Sequence, residues 1–319
     1  MKAAFLDFAT FGAKTLDLTP LYMRLPELQM FDDTPASLTA SRIQNLEYVL
    51  TNKVKLTKKA LQGAKNLCFI GLTATGSDNV DIATAKSLGI RVCNIRAYCT
   101  RSVVEHIFGV LINLSHNLNL HNKAVKKGEW QKSNNFCMLE YPIDELSNMT
   151  MGIIGYGELG ENVANMAKHF GMKVIIAKRK GRNKATRKEH VTLRDLLKNS
   201  DVISLHCPLT DETSNLIGAD ELKLMKSNAI LINTARGGLV DSYALVDALS
   251  NKTIKAAAID VLPQEPPIEG NPLLDYSDNN LIVTPHIAWG TKEARQNAIN
   301  ELAENIGAFQ NGKIKNKVV

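Results

Sequence analysis

This chain of 319 residues has no apolar run approaching the roughly 18 residues that span a bilayer, which argues against a helical membrane span. Cysteine is scarce and scattered: Cys68, Cys93, Cys99, Cys137 and Cys207 form no C-x-x-C pair. That excludes a disulfide scaffold and a cysteine-rich metal site, so no metal is expected, and it suits reduced thiols in a cytoplasm. Low-complexity linkers and internal repeats are missing as well. A secretory leader is not expected, because Met1-Lys2-Ala3-Ala4-Phe5-Leu6-Asp7-Phe8 meets an acid too early and reads as a first strand. A general excess of positive charge is also lacking. The formal net charge is +6, but Lys178, Arg179, Lys180, Arg182, Lys184, Arg187 and Lys188 supply seven cations in one acid-free stretch, and without them the balance is −1. Basicity so local argues against a nucleic-acid-binding surface, and neither nucleic acid nor membrane is expected as a partner.

What is present is ordinary globular material, 45% hydrophobic and 22% charged. The length suits about two domains. The most informative stretch is Gly152-Ile153-Ile154-Gly155-Tyr156-Gly157-Glu158-Leu159-Gly160, a short apolar run followed by G-x-G-x-x-G. Leu159, Val163, Met166, Ala167 and Phe170 then give the apolar stripe of a buried helix face. Gly171 ends it, and Val174-Ile175-Ile176-Ala177 reads as the next strand. A strand, glycine turn, helix and strand form a βαβ unit. Its glycines let the backbone approach a pyrophosphate, whose charge is met by the N–H groups of the helix start.

Upstream, strands are expected around Phe5-Leu6, Tyr48–Thr51, Leu67–Ile70 and Ile90–Cys93, and one long helix over residues 101–127. Downstream, Val202–His206, Ala229–Asn233, Ala257–Val261 and Leu281–Thr284 are continuous apolar runs, the pattern of a parallel sheet covered on both faces. A last helix is expected at about residues 291–310. The organisation predicted is α/β: a Rossmann-type, doubly wound dinucleotide domain over residues 100–287, and a second α/β domain from residues 1–99 plus 288–319. A cleft between two such domains commonly brings cofactor and substrate together.

Polar residues at the ends of three buried strands carry the chemistry, since open α/β sheets bind ligands there. Arg236, in Asn233-Thr234-Ala235-Arg236-Gly237-Gly238, can present a planar donor pair to a carboxylate or carbonyl. Glu265 sits among prolines in Asp260-Val261-Leu262-Pro263-Gln264-Glu265-Pro266-Pro267, on a stiff loop. His286 follows Pro285 in Thr284-Pro285-His286-Ile287-Ala288-Trp289-Gly290. Taken singly, each has a plainer reading: a turn arginine, a solvated acid, a structural histidine. Together they suit reduction of a ketone. The histidine gives a proton, the carboxylate favours its protonated form, and the arginine polarises the carbonyl.

In this combination the chain resembles the D-isomer-specific 2-hydroxyacid dehydrogenases over essentially its full length. Within that family it is most similar to the glycerate dehydrogenase (hydroxypyruvate reductase) branch. The features behind that are Ala97–Val104, Phe136–Pro142, and Trp289 after His286-Ile287-Ala288. The resemblance implies a flavodoxin-like substrate domain and a homodimer packed through residues 101–150. It places the catalytic roles on Arg236, Glu265 and His286. It implies cofactor contacts from Gly155, Tyr156, Gly157, Glu158, Leu159 and Gly160, and from His206, Cys207, Pro208 and Thr213. Thr234, Ala235, Asp260, Thr100, Val104 and Gly290 join that cofactor set. Substrate contacts would come from Thr73, Ala74, Thr75, Gly76 and Trp289, with Arg236 and His286. His106, His116, His121, His169 and His190 fall in helical or surface patterns and receive no role.

One departure bears on the cofactor. A NAD-binding unit carries an acid about 20 residues past the glycines, for the ribose 2′-OH. Here the strand ends in Ala177-Lys178-Arg179, and lysine cannot accept a hydrogen bond. Lys178 and Arg179 would instead neutralise a 2′-phosphate, which favours NADP over NAD. The expected substrates are hydroxypyruvate and glyoxylate. The alternatives are a bulkier 2-oxo acid or, for a non-enzymatic relative, dinucleotide sensing in a transcriptional co-repressor.

Overall fold

The computed structural model describes residues 1–12, 15–178 and 189–319, so Arg179 and the rest of the basic stretch to Lys188 lie outside the described residues. The chain divides into two compact units, residues 1–99 with 289–319, and residues 100–288.

The first unit is built on five parallel strands: β1 (Ala3–Phe5), β2 (Leu28–Met30), β3 (Tyr48–Thr51), β4 (Phe69–Leu72) and β5 (Arg91–Cys93). Their order is β2-β1-β3-β4-β5, the flavodoxin-like winding. Successive residues on one strand serve opposite cores. Tyr48 and Leu50 pack with Phe5, Phe69 and the helix Lys292–Gln310 through Ala298, Ile299, Leu302 and Ile306. Val49 packs with Ala4, Ile70, Val92, Ile43 and Leu61 on the other face. A strand buried on both faces has no solvent side, which is why these segments read as unbroken apolar runs.

Among the described residues the second unit has seven parallel strands: β6 (Thr150–Ile154), β7 (Lys173–Ala177), β8 (His190–Val191), β9 (Val202–Leu205), β10 (Ile230–Asn233), β11 (Ala256–Ile259) and β12 (Leu281–Val283). The order β12-β11-β10-β9-β6-β7-β8 is the Rossmann winding extended by one strand, with its direction reversing between β6 and β9. One face is covered by a core containing Ile203, Leu205, Leu231, Ala257 and Ile259. The helices Thr100–Ser115 and Glu158–His169 pack against each other; the first lies on β10 and β11, the second on β6 and β7.

Two expectations are corrected. The single helix over residues 101–127 is two, Thr100–Ser115 and Leu118–Lys126. They break at Asn117, whose φ of 50° is left-handed and whose Nδ2 donates to the Pro142 carbonyl at 2.7 Å. The apolar pattern continues across the break, but Asn tolerates this left-handed conformation. Met166 and Phe170 are 38% and 40% exposed, not core; Gly160, Val163, Ala164 and Ala167 form the buried face of their helix. Phe170 instead stacks on Phe108, with centroids 5.1 Å apart. The short edge strands β2 and β8 carry too few residues to show a pattern. The Asn117→Val substitution is expected to cost roughly 1–3 kcal/mol, because a β-branched residue strains at positive φ. Asn117→Gly should cost less. Equal losses in thermal unfolding would assign the effect to the Pro142 hydrogen bond rather than to the backbone.

Candidate active site

The register of the second sheet sets the site. Asn233 of β10 pairs with Ile259 of β11, which pairs with Val283 of β12. Arg236, Glu265 and His286 follow these three strands within a few residues, so they leave the sheet at the same edge. Parallel strands make that possible, since all their C-terminal ends lie on one side.

The turn carrying Arg236 is folded by the buried Asn233. Its Oδ1 accepts from the Ala235 N–H at 3.0 Å, and its Nδ2 donates to the Arg236 carbonyl at 2.9 Å. The Arg236 guanidinium donates to the Ala235 carbonyl through Nη1 at 2.7 Å. Next comes Gly237, where a Cβ would fall 2.0 Å from the carbonyl carbon of Leu262. Only glycine permits that approach, and it presses the arginine turn against the loop that leads to Glu265.

Glu265 is held at both oxygens. Oε1 accepts from the Leu262 N–H at 2.9 Å, and Oε2 meets His286 Nδ1 at 2.6 Å. The carboxylate accepts a hydrogen bond from Nδ1–H, which orients the ring and directs Nε2 away from the pair. Both side chains are partly exposed. The His286 backbone has φ 56°, uncommon for a non-glycine residue. Asp260 fixes it there. This residue is 2% exposed, and its own carbonyl accepts the His286 N–H at 2.8 Å. Its carboxylate accepts the N–H groups of Ile287 and Ala288, each at 2.9 Å, and the Thr284 hydroxyl at 2.5 Å. Every carboxylate oxygen of Asp260 is thus engaged with the turn itself.

The glycine turn lies at the reversal of strand order. Gly155 has φ 98°, and a Cβ there would lie 2.4 Å from the Cys207 nitrogen; one on Gly160 would lie 2.1 Å from the Gly155 carbonyl oxygen. The turn therefore lies flush on the His206-Cys207 backbone and on its own helix. Around Gly157, which caps the helix Glu158–His169, space is open. Thr100 Oγ1 donates to Glu158 Oε1 at 2.7 Å, Val104 is buried, and the Tyr156 ring meets His190 edge-on at 6.1 Å. Thr213 Oγ1 donates to the Pro208 carbonyl at 2.7 Å and accepts from the Thr210 N–H at 2.8 Å, closing the loop after β9.

Three buried polar groups at this edge find no hydrogen-bond partner among the described residues: both ring nitrogens of His206, the Thr234 hydroxyl and the Ser204 hydroxyl. Ser204 pairs with Ile232 across β9 and β10, so Ser204, His206 and Thr234 share one side of the sheet. Burial pushes the His206 imidazole down to about 4, which keeps it neutral. Orphaned polar atoms beside an open glycine turn and a helix start fit a polar dinucleotide.

The remaining expected residues are placed elsewhere. Thr73 is fully buried, with its hydroxyl on the Thr51 carbonyl at 3.3 Å. The carbonyls of Ala74 and Thr75 are tied to Ile95 and Asn94, which braces the loop that runs to Gly76. Trp289 packs edge-on to Phe11 and Tyr98, and the Gly290 carbonyl accepts from Arg295 Nε. All of these belong to the first unit, whereas Arg236, Glu265 and His286 belong to the second. Lys178 is exposed and follows β7, its N–H on the Val191 carbonyl at 2.8 Å. Two residues the sequence left without a role touch the His286 turn. Ser102 Oγ donates to the Ala288 carbonyl at 2.6 Å, and His106 Nε2 lies 3.3 Å from Thr284 Oγ1. A contact across 178 positions leaves no local signal. Among the described residues no cluster of three metal-ligating side chains occurs, and no helix is long and apolar enough to cross a membrane. A cavity of about 630 Å³ near Tyr243, Gln264 and Asn271 includes none of Arg236, Glu265 and His286 in its walls.

Residues 108–288 match the family model of the D-isomer specific 2-hydroxyacid dehydrogenase NAD binding domain, which makes the second unit the nicotinamide-dinucleotide unit of an oxidoreductase. The chain is 43% identical to the glycerate dehydrogenase of Methylorubrum extorquens, covering 99% of this chain and 98% of that one. It is 37% identical to the hydroxypyruvate reductase of Blautia hydrogenotrophica, over 100% and 99%. Among solved structures it superposes on an acyclic imino acid reductase in complex with NADPH and D-Arg, with a TM-score of 0.87, 28% identity and full coverage of both chains. It also superposes on the D-lactate dehydrogenase of Aquifex aeolicus complexed with NAD and lactic acid, with a TM-score of 0.82, 28% identity and 99% coverage of each. The chain belongs to the D-isomer specific 2-hydroxyacid dehydrogenase family and has 2-hydroxyacid dehydrogenase activity with a nicotinamide dinucleotide.

His206 carries a checkable consequence for the protein without cofactor. Its ordinary pKa is 6.5 and its folded value is about 4, so between these the unfolded chain binds more protons. Stability is therefore lost as pH falls through that window, by up to about 3 kcal/mol from this group. In denaturant unfolding at pH 7.5 and 4.5, His206→Asn should show a smaller acid loss than wild type. Identical losses would remove His206 as the cause.

Proposed function

We propose that the chain reduces small 2-oxo acids, hydroxypyruvate first and glyoxylate next, to the D-2-hydroxy acids. The observation that carries this is the His286–Glu265 pair at 2.6 Å, after β12 and β11, with Arg236 after the neighbouring β10. The substrate class also draws on the names of the relatives, a glycerate dehydrogenase and a hydroxypyruvate reductase, together with the glyoxylate reductase of Thermococcus litoralis at 36% identity.

The reduced nicotinamide, when bound, supplies the hydride. His286 gives the proton to the carbonyl oxygen from Nε2 while Glu265 holds Nδ1. Arg236 orients the substrate carboxylate and polarises its ketone. Gly155 to Gly160 receive the pyrophosphate at the helix start, and Glu158, Leu159, Cys207, Pro208, Thr213 and Ala235 line the cofactor. His206 and Thr234 are the side chains there with polar atoms to spare. Thr73–Gly76 and Trp289 take their substrate role from family resemblance alone. A homodimer through residues 101–150 agrees with the exposed Phe136 and Leu139, 91% and 73% accessible. A cytoplasmic location rests on the five free cysteines.

His286→Ala should lower kcat by roughly 10²–10⁴ with cofactor affinity nearly unchanged. Arg236→Lys should fail comparably, since an ammonium lacks the bidentate fork. Near-normal steady-state turnover in either variant, with hydroxypyruvate as substrate, would refute its assigned role. A substrate panel in which bulkier 2-oxo acids outperform hydroxypyruvate would overturn the substrate class.

For the cofactor, we propose that NADPH is favoured. Lys178 stands after β7 where an acid would receive the ribose hydroxyl, and an ammonium suits a phosphate instead. The test is kcat/KM with NADPH and NADH, for wild type and Lys178→Asp. The substitution should shift the ratio toward NADH, and a clear NADH preference in the wild type would contradict the assignment.

A further inference from the structure

We propose that His106 is a positioning residue for the proton donor, acting from the helix Thr100–Ser115 through Thr284 and Asp260 on the turn that carries His286. The proposal rests on the proton-donor role of His286. The direction of each hydrogen bond follows from proton counting. Thr284 Oγ1 lies 2.5 Å from Asp260 Oδ1, and a carboxylate can only accept, so the hydroxyl proton points at Asp260. The hydroxyl then has only lone pairs left for His106 Nε2, 3.3 Å away. His106 must therefore donate, carrying its proton on Nε2. The same nitrogen is 3.9 Å from Asp260 Oδ1, close enough for attraction and too far for a second bond.

Ser102 stands one helical turn before His106, so both point from the same helix face. Ser102 holds the far end of the turn at the Ala288 carbonyl, and His106 holds the near end at Thr284. Asp260 holds the middle through the N–H groups of Ile287 and Ala288. His286, between these anchors, keeps its φ of 56°. A residue in that conformation persists only where its surroundings over-determine it. An apolar side chain at position 106 would offer Thr284 no donor. The imidazole is needed there for its N–H.

The test compares His106→Leu, which removes the donor, with His106→Gln, whose amide can donate from a similar place. In His106→Leu, kcat should fall roughly 10-fold to 100-fold, as expected when a reacting group is misplaced by about 1 Å. Cofactor affinity should hold within about twofold, and His106→Gln should recover most of the loss. The deciding measurement is the double variant with His286→Ala. If His106 acts through His286, His106→Leu should cost nothing further once the donor is gone. The same fold-loss in both backgrounds, or an unchanged kcat in His106→Leu, would overturn the proposal. Should His286→Ala itself turn over normally, the proton-donor assignment falls and takes the positioning role with it, an outcome distinct from the others. If His106→Leu does not fold, Thr284→Val against Thr284→Ser tests the same link. Only the valine variant should lose turnover, and equal rates would overturn the proposal.

Discussion

The geometry of the site depends on one buried carboxylate. Asp260 has no solvent to share its charge, so it must be satisfied by protein, and the donors it collects all belong to the segment after β12. Bonds to an ionised acceptor in a low-dielectric setting are the strong ones, and leaving such a group unpaired is costly. The chain after β12 is consequently drawn into a tight turn, and the histidine at its centre is forced into a conformation it would not choose alone. A group that touches neither Glu265 nor Arg236 in any hydrogen bond described above thereby decides where the imidazole sits.

The sheet does the rest of the assembly. Register places β10, β11 and β12 side by side with their C-terminal ends together, and two very different devices then fix the outgoing loops. Asn233 closes the arginine turn with its own side-chain amide, whereas Glu265 closes its loop by capturing the Leu262 N–H. At Gly237 the two loops meet backbone to backbone, with no side chain between them. The histidine, the acid and the arginine therefore stand on three loops whose positions are mutually constrained, although they lie far apart in sequence.

The sequence disclosed the parallel sheets because strands covered on both faces have no polar alternation to obscure them; Val202–Leu205 and Tyr48–Thr51 are apolar nearly throughout. The glycine turn was legible for a different reason. Its residues are constrained by close backbone approach at Gly155 and Gly160, which no other residue type satisfies. Asn117 shows the limit, since an apolar periodicity runs on through a residue whose backbone has left the helix. Ser102 and His106 show another. Their partners, Ala288 and Thr284, are brought to them only by tertiary packing, and nothing near either residue announces it. Asp260 was legible as an important acid, while its use as an internal anchor required the hydrogen bonds themselves.

The first unit is closed by a helix from the far end of the chain. Ala298, Ile299, Leu302 and Ile306 of Lys292–Gln310 cover the face formed by Phe5, Leu50 and Phe69. Without residues 292–310 that apolar face has lost its cover. The unit between, residues 100–288, is continuous and holds all of its own strands. Loss of residues 292–310 would therefore strip one face of the first sheet and remove no strand from the second.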